Sequence, residues 1–247
     1  MIRLSFPKAV NSNLLDRMNI FEQKQVFVSY SVYDKISPRV YKLMKILEVS
    51  RNPKFHVNML DGDALIDRSR SRLATNFLEL KGHDIILFLD EDIIFDPVDM
   101  VQIVRLIREK NLDIVGAAYV TKTDKNPKFT FKALDGENEN EFIFGKEGIV
   151  KEVEYVSTGC MAVRKCVFEE IVKREMVHKC HPNTYNFYPF FMPMEKKMSD
   201  GSYFYLSEDW SFLERARHCG FKVMLDCTIK LGHVGKKIYD WEILGYK

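Results

Sequence analysis

The stretch ILFLDEDIIFDP, residues 86–97, runs a block of apolar residues into Asp90, Glu91 and Asp92, returns to apolar residues and closes on Asp96-Pro97. A continuous apolar run of this length reads as a fully buried strand of a parallel sheet. Asp96 is accounted for locally, because aspartate caps the helix whose first turn Pro97 occupies. Asp90 and Asp92 are not. Ligands of open parallel sheets gather at the carboxyl ends of the strands, and a strand's period of two would aim both side chains to one side and Glu91, as a structural residue, to the other. Two carboxylates aimed together repel unless a hard cation lies between them; the competing reading is a pair of solvated loop acids.

Outward from this stretch, strands and helices alternate. QVFVSYS (25–31) reads as a strand, and Ser37-Pro38 opens a helix. KFHVNML (54–60) is a second strand, followed by a helix over about 65–80, a third strand at 84–90, a helix from Pro97 to about 109, and a fourth strand, DIVGAAYV (113–120). That order implies an α/β fold with a mainly parallel sheet covered on both faces. After Lys122, KFTFKAL, EFIFGK and IVKEVEYVS read as short strands of a partly antiparallel half, followed by a helix at about 165–174. Residues 179–206 lack clear periodicity and read as a lid or acceptor loop. A last helix runs from Glu208 to Cys219, before the strand FKVMLD.

The 247 residues suit one domain with a single core, taken as 1–247. With 46% hydrophobic and 29% charged residues the chain is globular rather than disordered. A balance of 37 basic and 35 acidic residues gives no global field that would point to nucleic acid. Five cysteines without a CxxC pair suit reduced thiols in a cytoplasmic setting. The first twenty residues are broken by Pro7, Asn11 and Asn13, and nowhere are there about 18 consecutive apolar residues, so neither a signal peptide nor a membrane span is expected. The aromatic, lysine-bearing stretch 185–197 leaves peripheral membrane contact open.

In DALIDRSRSRLATNFLEL (63–80), Ile66, Leu73, Phe77 and Leu80 form one helical stripe, and Arg70 falls on it. A core-facing guanidinium must pair with a carboxylate or a phosphate; Arg68 and Arg72, to either side, read as solvated. In LSEDWSFLERARHCGFKV (206–223), Ser207 reads as the helix cap, Glu208 and Asp209 favour the helix start, and Gly220 stops it. A carboxylate fixed at a helix start can also serve as a general base. His233, in KLGHVG, could ligate a metal through a neutral imidazole.

Taken in order over about residues 25–236, these segments resemble a glycosyltransferase of the A-type fold, similar to family 2 enzymes and to Anp1-like or phage and viral relatives. The segments are VSYSVYD, RSRSRLATNFL (similar to an Ala-Arg-Asn helix), ILFLDEDIIFDP (a DxD segment), IVGAAYVTK, YVSTGCMAVRK, SEDWSFLERARHCGF (a Glu-Asp helix) and LGHVG. The resemblance implies a Rossmann-like sandwich with a smaller antiparallel part, a nucleotide-binding half at about 21–122, an acceptor-binding half at about 123–236 and a tail at 237–247. It further implies a metal-dependent enzyme moving a sugar from a nucleotide-diphosphate donor to a hydroxyl of a glycan, protein or lipid-linked acceptor.

Carried over residue by residue, the resemblance implies that Asp90 and Asp92 bind Mn(II) or Mg(II) and the donor diphosphate, with His233 completing the metal shell. Ser29, Tyr30, Ser31 and Asp61 would meet the base and ribose, and Arg70 the pyrophosphate or Asp90 as its brace. Thr158 and Gly159 would line the donor sugar, glycine allowing close backbone approach. Asp209, with Glu208 as the second candidate, would deprotonate the acceptor. The chain departs from the pattern in reading Ser69-Arg70-Ser71 where relatives carry Ala-Arg-Asn, and in that its first strand lacks the proline many relatives place in its loop.

Three other readings share features with this one. A haloacid-dehalogenase-type phosphatase would continue its DxD with Gly and Thr on the first strand, whereas Ile93-Ile94 follow here. A sugar nucleotidyltransferase would want a glycine-rich basic loop after the first strand, where YSVYDKIS stands. A non-catalytic carbohydrate-binding or nucleotide-sugar-binding domain could use the same fold.

Overall fold

A computed structural model describes residues 24–33, 35–181 and 183–246. The stretch 1–20, read above as lacking a spanning run, lies outside the described residues. In chain order the elements are β1 (Gln25–Val32), α1 (Pro38–Glu48), β2 (Phe55–Asp61), α2 (Ile66–Glu79), β3 (His83–Asp90), β4 (Ile93–Ile94), α3 (Pro97–Glu109), β5 (Ile114–Gly116) and β6 (Phe131–Lys132). Then follow β7 (Val150–Val153), β8 (Tyr155–Val156), β9 (Cys160–Arg164), α4 (Lys165–Lys173), β10 (Met194–Lys197), β11 (Tyr203–Leu206), α5 (Glu208–His218), β12 (Val223–Asp226), β13 (Gly232–Val234) and β14 (Ile238–Tyr239).

The central sheet has seven strands in the order β2-β1-β3-β9-β5-β12-β7. Strands β1, β2, β3, β5 and β12 share one direction, and β9 and β7 run against it. Strand alternation sorts β1 between two cores. Val26, Val28 and Tyr30 pack with Val40, Met44 and Leu47 of α1 and with Ile103 and Ile107 of α3. Phe27, on the other face, packs with Leu73 and Phe77 of α2, Phe168 of α4 and Phe212 of α5. The centre of β3, Ile85 to Leu89, is buried on both faces, which is why its sequence shows no alternation.

Several expectations change. The fourth strand stops at Gly116, and residues 117–119 leave the sheet before an isolated bridge joins Val120 to Phe129. EFIFGK forms no strand; its alternation reflects Phe142 and Phe144 turning into an aromatic cluster with Phe129 and Phe131, while Ile143 stays exposed. Within 179–206 the second half is the β10–β11 hairpin, and the middle is core rather than lid. Phe190 and Phe191 are fully buried, the Phe191 amide donates to Ser71 Oγ at 3.1 Å, and Arg215 donates to the carbonyls of Phe190 and Met192. Ile66 is exposed rather than part of the α2 stripe. Among the described residues no helix is long and apolar enough to cross a membrane.

Candidate active site

Strand β3 delivers Asp90 to the carboxyl edge of the sheet, directly beside Ser31 of β1 in register. The strand ends there: Glu91 and Asp92 form a turn, so the period of two does not carry from Asp90 to Asp92. All three acids face one cleft of about 180 Å³, whose walls include Ser31, Asp63 and Arg70. Glu91 also ties the loop after β1 in place by accepting the Tyr33 amide at 3.0 Å, which agrees with a structural role.

Arg70 projects from α2 beneath this turn, only 5% exposed. Its Nη2 donates to Asp90 Oδ1 at 2.7 Å and its Nη1 to Glu208 Oε1 at 2.9 Å. Burial works against the guanidinium charge, but Asp90 and then Glu208 hold it above its ordinary range. One buried cation thus joins the end of β3 to the start of α5, 138 residues away from itself in sequence.

Asp92 belongs to a second group. Strand β13 pairs with β4, placing His233 opposite Ile93, and the Val234 amide donates to the Asp92 carbonyl at 2.7 Å. His233 Nδ1 lies 2.8 Å from the Val120 carbonyl, an acceptor only, so Nδ1 carries the hydrogen and Nε2 faces Asp92 Oδ2 at 3.6 Å. Lys122 Nζ contacts that same oxygen. Burial works to raise the Asp92 carboxyl, yet His233 and Lys122 hold it below its usual value.

Among the described residues no three His, Cys, Asp or Glu side chains are gathered to hold a metal ion. Asp90, expected as a ligand, is engaged by Arg70. The pair that fits a divalent cation is narrower: the Asp92 carboxylate and an imidazole whose Nε2 is left as the ligating nitrogen by the bond at Nδ1.

At the start of α5, Ser207 holds the cap position without capping; its hydroxyl bonds Asp209 Oδ1 instead, and that oxygen also accepts the Trp210 amide at 2.8 Å. Among the described residues both side-chain hydrogen bonds of Asp209 therefore fall on Oδ1. Burial raises the Glu208 carboxyl above its ordinary value, with Arg70 opposing. Asp209 acts electrostatically on Arg70 and on Tyr119.

Thr158 is fully buried, and its hydroxyl, like that of Ser29, has no hydrogen-bond partner among the described residues. The close approach that Gly159 permits is to Tyr119: a Cβ there would lie 2.5 Å from the ring. The Gly159 carbonyl accepts the Asp90 amide at 3.2 Å. Ser31 Oγ accepts from Ser69 Oγ at 2.7 Å. Tyr30, expected at the nucleotide base, is fully buried on the opposite face of β1 and cannot reach the cleft. Asp61 ends the edge strand β2 in an exposed position, and the acid on the cleft wall is Asp63. Asp63 also takes Arg68 at 2.7 Å and Arg72 at 3.6 Å, so neither arginine is simply solvated.

Two residues of the site were not singled out from sequence, Tyr119 and Lys122. Tyr119 packs edge-on to His233 with ring centroids 4.8 Å apart. Both lie just past the carboxyl end of β5, where the rule about strand ends points.

The fold is of the glycosyltransferase A type. The crystal structure of A197 from STIV matches with a TM-score of 0.52 at 18% identity, over 85% of this chain and 86% of that one. The structure of GalNAc-T7 with UDP, GalNAc and Mn2+ is similar at a TM-score of 0.46 and 11% identity, over 86% of this chain and 44% of that one. No protein-family model and no curated protein matches the chain.

Proposed function

We propose that the protein is a glycosyltransferase that moves a sugar from a nucleotide-diphosphate donor to an acceptor hydroxyl. The observation that carries this reading is the double bridge of Arg70 to Asp90 and Glu208, which sets a rigid, charged cleft at the carboxyl edge of β1 and β3. In this reading the half through residue 122 binds the nucleotide, 123–236 the acceptor, and 237–247 is a tail.

Asp92 and His233 would hold Mn(II) or Mg(II), which when bound supplies positive charge to the departing nucleoside diphosphate. Arg70 keeps Asp90 fixed, so that its free oxygen can accept a donor hydroxyl without reorganising. Asp209 serves as general base: its Oδ1 is anchored by Ser207 and Trp210, leaving Oδ2 to take the acceptor proton as the new C–O bond forms and the sugar–phosphate bond breaks. Glu208, committed to Arg70, positions rather than reacts.

A thermal-shift screen of UDP, GDP, CMP and dTDP sugars with and without Mn(II) tests this, because ligands of the native state raise its melting temperature. A shift that needs both metal and nucleotide sugar supports a transferase. A shift with free sugar alone favours a carbohydrate-binding module.

A further inference from the structure

Lys122 is a charged side chain beside the cleft, in contact with Asp92, to which the proposed mechanism gives no role. It lies on the segment that departs from the sheet after β5, and its ammonium contacts Asp92 Oδ2, the oxygen that His233 Nε2 also faces. Its placement is built in from the other side. A Cβ at Gly235, in the β13–β14 turn, would lie 3.1 Å from the Tyr239 ring and 3.3 Å from Lys122 Cδ, so glycine there leaves room for both the ring and the lysine stem. With 35% of its side chain exposed, Lys122 has space to swing away.

We propose that Lys122 is a tethered cation that competes with a divalent metal for Asp92 Oδ2 and so couples metal binding to nucleotide binding. This rests on Asp92 and His233 being the metal site of the proposed transferase. A divalent ion on Asp92 Oδ2 must displace the ammonium, and it then stands beside an unneutralised positive charge, an arrangement that Coulomb repulsion disfavours. A nucleoside diphosphate brings the anionic oxygens that relieve this, giving the displaced ammonium a partner. Metal and nucleotide each then bind more tightly when the other is present, and by linkage the factor is the same in both directions.

The test is a titration of the full chain with Mn(II), read by the electron paramagnetic resonance of free Mn(II), with and without UDP. The parent is compared with Lys122→Met, Lys122→Gln, Asp92→Ala and the Asp92→Ala/Lys122→Met double variant. The expected result is that both Lys122 variants bind Mn(II) about tenfold more tightly than the parent without UDP. UDP should then improve their Mn(II) affinity less than it improves the parent's, and the gain should vanish in the double variant. Equal Mn(II) affinity in the parent and both Lys122 variants, with Asp92→Ala still weakening it, overturns the role of Lys122 and leaves the metal site standing. An absence of Mn(II) binding in every variant overturns the metal site and the proposal with it.

Discussion

Arg70 Nη2 lies 2.7 Å from Asp90 Oδ1, a buried guanidinium on the last residue of the central strand β3, and the other arm of the same fork reaches Glu208 at 2.9 Å. Arg70→Met would leave two carboxylates facing each other without a cation. Since both acids keep some solvent contact, at 24% and 23% side-chain exposure, the cost is expected near 2 kcal/mol, below the range for fully buried pairs. That corresponds to a melting temperature lowered by roughly 4–8 °C. Arg70→Lys, which keeps the charge but cannot span both acids, should fall between, as differential scanning calorimetry would report.

The two acids at the start of α5 should separate by kinetics. Asp209→Asn is expected to lower kcat by about 10²–10⁴ while leaving donor affinity near that of the parent, as befits loss of a base. Glu208→Gln should instead weaken donor binding and stability by loosening Arg70. Equal losses of kcat in both variants would remove the distinction.

Gly159→Ala would put a methyl 2.5 Å from the Tyr119 ring. Overpacking of this kind costs about 1–3 kcal/mol. Tyr119→Ala in the same chain should return part of that cost, a coupling that urea denaturation of the two single variants and the double variant would measure. Strict additivity would mean that Tyr119 is not the obstacle.

Glu154 is nearly buried and meets Lys132, Lys196 at 2.9 Å and Arg217 at 3.1 Å. Burial opposes its charge, but Lys132 and Lys196 bring its carboxyl down to about 2 from the ordinary 4.5. Its stabilising contribution is therefore complete above about pH 4.5 and is lost as pH falls toward 2. Glu154→Gln should lower stability at pH 7 by an amount on the order of 1–3 kcal/mol, and by about half of that or less near pH 3, where part of the linkage has been lost. A pH-independent difference between parent and variant would contradict the assignment. Because Lys196 belongs to β10, this network also holds the hairpin against α5, through Glu214 at 3.1 Å.

Much of this arrangement is legible from residues alone. The continuous apolar run of β3, the Asp96 side chain accepting the Val98 amide at 2.9 Å, and the inward position of Arg70 on α2 all follow from period and capping chemistry. What local pattern cannot carry is pairing. EFIFGK alternates because Phe142 and Phe144 turn into an aromatic cluster while Ile143 stays exposed, yet among the described residues none of its positions pairs as a strand. The separation of Asp90 from Asp92 depends on a turn that breaks the period at Glu91. Tyr30 has the right neighbours in sequence but the wrong parity on β1. Lys122 and Tyr119 join the site only because the chain leaves the sheet after Gly116 and meets β13 from far along the sequence.

The most direct measurement is isothermal titration calorimetry of UDP- and GDP-sugars in the presence and absence of Mn(II), on the parent and on Asp92→Ala. The expected result is saturable binding of one donor that requires Mn(II) in the parent and is lost in Asp92→Ala, with both proteins equally folded by circular dichroism. Donor binding of equal strength in parent and Asp92→Ala, or unchanged by Mn(II), would contradict the assignment of this cleft as a metal-dependent donor site.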